Sequence, residues 1–193
     1  MNTTLTVVLA VLVLIAAWSL TVYNKLIALI EAIRNNQRQI DVQLDRRFKV
    51  FQSLIECVKH IMDYEKTTLK EVVALRNHAE LAKQSGDDET RIEAENKISN
   101  IASGLHVVFE QYPELKANQN VLQLQEEIIS TENKLTFAKQ ALNDSIERYN
   151  ALKKSFFESM ITRFFSTQLD QSFAYWGLPE DHAKNLDNYT VKF

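Results

Sequence analysis

Three glycines and two prolines in 193 residues leave few places at which a helix has to stop. No long stretch alternates Val, Ile and Thr between turn residues, so strands have little support either. An almost wholly helical chain is predicted. The single cysteine, Cys57, excludes an intramolecular disulfide and is compatible with a reducing compartment, where its ordinary role is that of a small buried hydrophobe. Charge of one sign is scarce too: 22 Lys and Arg against 25 Asp and Glu give a formal net charge of −3. Without a concentrated basic face, nucleic acid is not an expected partner.

Signatures of chemistry are also missing. The four histidines, His60, His78, His106 and His182, form no pair at helical ligand spacing, and none has a Glu three residues before it. A helical carboxylate metal centre would want that Glu-x-x-His pattern on paired helices, so no metal site is expected. The chain has no Gly-rich phosphate loop, His-Glu-x-x-His motif or nucleophile elbow. Neither catalysis nor a cofactor is expected.

What the chain does have is an apolar run. Leu5 to Val22 carries no charge, and the first basic residue after it is Lys25. A bilayer core takes roughly 20 residues at about 1.5 Å each, a length that Thr3 to Tyr23 meets. A single transmembrane helix is predicted. A cleavable signal peptide is the competing reading, but no basic segment precedes the run and it continues to Trp18 and Tyr23, side chains suited to a membrane interface. Lys25, Arg34, Arg38, Arg46, Arg47 and Lys49 all follow it, which places the remainder of the chain on the cytoplasmic side and the short N-terminus outside.

Beyond the run, apolar residues recur at helical spacing. Ile40, Leu44, Phe48, Phe51, Leu54, Ile55 and Val58 form one stripe, with Asp41, Asp45, Arg46, Arg47 and Lys49 between them. Thr68 and Glu71 have capping-box spacing and mark a second helix, ending at Ser85-Gly86 with Gly86 as a left-handed cap. Asp87, Asp88 and Glu89 open a third, with stripe Ile92, Ile98, Ile101, Leu105, Val108, Phe109 and Tyr112, closed by Pro113. The last starts near Asn118 to Asn120 and runs to Phe164. Were residues 24 to 84 one helix, it would rise roughly 90 Å and its partners, at about 37 and 70 Å, would leave stripes bare. A break near residues 61 to 68 lets four helices alternate in direction. The predicted fold is all-α: an N-terminal transmembrane helix followed by an antiparallel up-and-down four-helix bundle.

Some polar residues fall in or beside the stripes: Arg47 in the first bundle helix, and Gln125, Glu132 and Lys139 in the last. A buried charge must be paired, and such pairs more often fix register than add net stability. Arg47 is predicted to meet a last-helix carboxylate, with Glu132 one candidate; exposed edge residues snorkelling into water is the open alternative. At the C-terminal end Phe156, Phe157, Met160, Ile161, Phe164 and Phe165, then Phe173, Tyr175 and Trp176, are expected near the bilayer surface. Phe164, Phe165 and Trp176 are the candidate membrane-surface contacts, with core packing or a subunit contact as the other readings.

Tyr23-Asn24-Lys25-Leu26, Ile40-Asp41-Val42-Gln43-Leu44 with Arg46-Arg47, and Leu54-Ile55-Glu56-Cys57-Val58-Lys59 resemble the first signature block of the LemA family. Tyr112-Pro113-Glu114-Leu115-Lys116-Ala117, Leu124-Gln125-Glu126-Glu127-Ile128, Thr131-Glu132-Asn133-Lys134-Leu135 and Tyr149-Asn150 resemble the second, so the likeness covers residues 23 to 150. Three features depart from the family pattern. His60 stands where a Gly is usual, Phe51-Gln52-Ser53 lacks the usual Pro, and Phe156-Phe157-Glu158 and Phe164-Phe165-Ser166 replace the usual C-terminal Phe-Pro and Phe-Gly-Phe elements.

The resemblance implies a bacterial membrane protein with one N-terminal span and a soluble antiparallel four-helix bundle, in a family without an established enzymatic activity. The expected organisation is an anchor over 1–23, a LemA-like bundle over 24–165 and an aromatic, partly irregular tail over 166–193. The expected role is a non-enzymatic scaffold or assembly protein in the bacterial inner membrane. Its partners would be lipid around the N-terminal helix and either further copies of itself or another membrane protein. The alternative is an accessory subunit of a membrane enzyme such as a quality-control protease. Asp41, Arg46, Arg47 and Glu132 are the candidates for fixing register or meeting a partner.

Overall fold

With so few residues able to stop a helix, every regular element is helical in what a computed structural model describes, residues 3–58, 65–110 and 118–177. The elements are α1 (Thr3–Val58), α2 (Glu65–Ser85), α3 (Asp88–Glu110), α4 (Gln119–Lys154), α5 (Phe156–Phe164) and α6 (Ser166–Leu169). No Gly or Pro occurs within α1, and it continues without interruption from the apolar run into the charged stripe. Of residues 61–68, where the break was expected, 61–64 lie outside the described residues, as do His60, Tyr112, Pro113 and His182, and α2 takes up the chain from Glu65.

The turn between α2 and α3 follows from two residues. Gly86 takes φ 76°, a left-handed conformation costly to any residue with a Cβ. Its N–H then donates to the Lys83 carbonyl at 3.2 Å, and the Asp87 N–H donates to Ala82 at 2.9 Å, the paired bonds of a Schellman motif. Asp87 in turn caps α3: its carboxylate accepts from the Thr90 N–H at 3.0 Å and from the Thr90 hydroxyl at 2.7 Å. Those bonds, led by the hydroxyl's, hold the Asp87 pKa below its usual 3.8. At α4, Asn118 Oδ1 plays the same part for the Asn120 N–H at 3.0 Å.

Two predicted boundaries differ. α2 begins at Glu65, so Thr68 is interior rather than a cap. The helix expected to run on to Phe164 breaks at Ser155, which adopts φ −60°, ψ 147°. Nothing local demands this break, since Ser155 is neither Gly nor Pro. Beyond it, Tyr149 fastens the returning segment. Its hydroxyl donates to the Leu169 carbonyl and accepts from the Gln171 N–H at 2.9 Å, while Lys153 pairs with Asp170 at 3.0 Å.

The chain divides into two compact units. One takes the stretch up to Arg38 together with Gln140–Tyr175. Its core is the stripe Val22, Leu26, Ile30 and Ile33 of α1 and Leu142, Ile146 and Tyr149 of α4, with Ile161 and Leu169 also buried. Asn36 joins the two long helices, donating to the Ala141 carbonyl at 3.0 Å and to Ser145 Oγ at 2.8 Å.

The other unit takes Gln39–Lys139 and the segment from Trp176. Its pairs give the helix directions. Along α1, Asp41 meets Lys83 and Arg91, whereas Arg47 meets Glu95; Arg46 and Arg47 meet Glu127 and Glu132 of α4. Farther along, Val50, Phe51, Leu54 and Ile55 share a core with Val72, Ile98, Ala102, Val121 and Ile128. As α1 advances, numbers fall along α2, rise along α3 and fall along α4. The helices therefore alternate in direction, the predicted up-and-down bundle. Each fully buried Leu, Ile or Phe there contributes about 1.5–3 kcal/mol through removal from water.

Candidate functional site

Within the four-helix unit, Glu95, Ser99 and Glu132 converge on Arg47. Only 1% of its side chain is exposed, and Glu95 of α3, its closest partner, is buried to the same degree. The guanidinium's second amino group bonds to the Glu95 carboxylate and also donates to the Glu95 carbonyl at 3.3 Å. The first donates to Ser99 Oγ at 2.7 Å and to Glu132 Oε1 at 3.1 Å. The Ser99 hydroxyl in turn donates to Glu132 Oε2 at 3.0 Å. Arg76 of α2 completes the set, donating to Glu95 Oε1 at 2.7 Å. Each of the four helices contributes a charged side chain to this one network.

Such closure is what the low dielectric requires. A carboxylate taken out of water costs several kcal/mol unless cations and hydrogen bonds replace its hydration, and Glu95 has an arginine on each oxygen. Arg rather than Lys suits this position because its planar fork reaches three groups at once.

Lys139 of α4 is less well provided for. Its ammonium donates to Asn96 Oδ1 at 3.4 Å and lies 5.2 Å from the centre of the Trp176 ring. Burial, followed by repulsion from Arg47, lowers its pKa from 10.5 to about 8, against the pull of Glu132 and Glu95. Arg91 sits 5.5 Å from the same ring.

A cleft of about 330 Å³ lies beside the network, lined by Asp41, Asp45, Arg76, Glu80, Lys83 and Arg91 among others. Asp41 accepts from Lys83 at 2.9 Å and pairs with Arg91, joining α1 to α2 and α3. Charges of both signs line it. Among the described residues, no group of three or more His, Cys, Asp or Glu is placed to hold a metal ion.

Of the candidates named from sequence, Arg47 and Glu132 are hydrogen-bonded to each other, and Asp41 bridges two cations. Arg46 pairs with Glu127 at 2.6 Å in a half-exposed position, a contact of about 0–1 kcal/mol. Phe164 is 82% exposed, and Phe165 packs edge-on against Tyr23 with centroids 5.1 Å apart. Trp176, named with those two, falls in a different unit of the chain. It is only 7% exposed and belongs to the four-helix unit, with the Arg91 and Lys139 cations beside its ring.

Glu95, Ser99 and Arg76 were missed. The signal for Glu95 was a gap: the α3 stripe steps from Ile92 to Ile98, and Glu95 occupies the helical step between. A polar residue filling an apolar register position marks a buried polar contact.

Compared with known proteins, the chain matches the LemA family model over residues 36–193. The match starts beyond the apolar run and includes the C-terminal residues that the motif resemblance left out. Protein LemA of Metamycoplasma hominis is 26% identical over 159 residues, covering 82% of this chain and 68% of that relative. The family name carries no enzymatic activity.

Proposed function

This chain belongs to the LemA family, and from that premise we propose that it is a non-enzymatic, membrane-anchored helical scaffold that holds further copies of itself or another membrane protein. One observation carries the reading: a single uninterrupted helix, α1, bears both the apolar run and Arg47. Among the described residues α1 is the one helix long and apolar enough to cross a membrane. A polar network closed on itself supports holding rather than turnover, because Ser99 is already engaged as both donor and acceptor. The Lys and Arg that succeed the run support a cytoplasmic four-helix unit.

Crosslinking in intact cells, followed by native sizing of the detergent-extracted protein, tests the role. A ladder of self-adducts is expected for assembly. One dominant heterologous product would favour an accessory subunit, and a monomer without a co-purifying partner would overturn the scaffold.

A further inference from the structure

Helix α5 has three distinct faces. Ile161 and Thr162 are buried, whereas Phe156, Phe157, Met160 and Phe164 are 78, 61, 63 and 82% exposed. At about 100° per residue those four side chains fall within one arc of roughly 100°, with Ser159 and Arg163 beside it. An apolar arc of this kind, with exposed Lys154 and Arg163 near its ends, has the make-up of an interfacial helix.

Its neighbours fix what covers it. Phe157 meets Trp18 of α1 edge to face, centroids 6.2 Å apart, and Phe165 meets Tyr23. Between the helices lies an open cleft of about 700 Å³, lined by Ile15, Trp18, Ser19, Phe157, Met160 and Ile161, with Glu158 as its one charged residue. One wall of that cleft is therefore the apolar run itself, exposed at Leu12, Leu14 and Ile15 alike. Ile15 shares this cleft with Phe157 and Met160.

We infer that α5 is a second membrane contact, lying in the bilayer interface with Phe156, Phe157, Met160 and Phe164 among the acyl chains and a lipid tail in the cleft against Ile15 and Trp18. The inference rests on α1 being a membrane span. Trp18 and Tyr23 close that span at headgroup level, where aromatic rings settle, and α5 is held at the same level by its contacts with them. Arg163 and Lys154 then meet anionic headgroups.

The test uses the full chain with Cys57→Ser and one new cysteine at a time, Leu12→Cys, Met160→Cys or Phe164→Cys, carrying an environment-sensitive fluorophore. Each is reconstituted into phosphatidylcholine–phosphatidylglycerol vesicles containing nitroxide lipids, spin-labelled either high or low on the acyl chain. Circular dichroism matching the parent excludes misfolding. At Met160 and Phe164 the expected result is a blue shift and preferential loss of emission to the shallow nitroxide; at Leu12 the deep nitroxide should quench more. Quenching at Leu12 with none at Met160 and Phe164 overturns the interfacial helix and leaves the anchor standing, as it would if a second copy covered the phenylalanines. No quenching at Leu12 removes the anchor and the inference with it.

Discussion

Arg47 of α1 bonds from a buried position to side chains of both α3 and α4. Replacing it by Met leaves Glu95 buried with one cation and Glu132 with none from α1, a loss expected at about 3–5 kcal/mol. Removing the carboxylate as well should recover part of that loss. Double-mutant cycles in urea on the full chain are expected to give a coupling of at least about 1 kcal/mol for Arg47→Met with Glu95→Leu, and less with Glu132→Leu, whose side chain is 23% exposed. Coupling near zero in both cycles would mean that the network does not act as a unit.

Lys139 should behave oppositely. Its folded pKa of about 8 lies below the unfolded 10.5, so between those values the unfolded chain binds the extra proton and stability rises with pH. Below pH 8 the buried ammonium is a penalty. Lys139→Met is therefore expected to stabilise the protein at pH 7 by on the order of 1 kcal/mol, after allowing for its partial exposure and the lost contact with Trp176. That advantage should shrink between pH 8 and 10.5; one that stayed constant, or a destabilised variant, would contradict the shift.

At the scale of elements, Gly86 provides the clearest test. A Cβ added there meets nothing within 4 Å, so the cost of Gly86→Ala is conformational alone, about 1–2 kcal/mol for the left-handed backbone. Gly86→Asn, which tolerates that conformation better, should lose less; equal losses would mean that the Schellman geometry is not what matters.

The ends around Gly86 were legible in sequence because Gly, Asp87 and Asn118 act through bonds within a few residues of themselves. Ser155 was not legible. Its break is accompanied by Tyr149 gripping Leu169 and Gln171, and no composition near Ser155 reports a contact made some twenty residues away. The same division runs through the candidate site. Arg47 and Glu132 stood out as charges in strong stripes, whereas Glu95 occupied a gap in a weak one and Trp176 looked like any exposed tail aromatic.

Across the whole molecule, the proposed membrane span raises the question of which side the four-helix unit occupies. The Lys and Arg that follow the apolar run argue for the cytoplasm. Ser85 offers a direct probe, since it is exposed beside the Gly86 turn. In the Cys57→Ser background, Ser85→Cys should resist an impermeant maleimide in intact cells and react once the cells are lysed. Leaving the thiol unmodified in both conditions would indicate local shielding, which a second cysteine at the exposed Leu81 resolves. Ready labelling of intact cells at both positions would invert the orientation. A scaffold would then serve partners outside the membrane, and Arg163 and Lys154 would meet the outer leaflet.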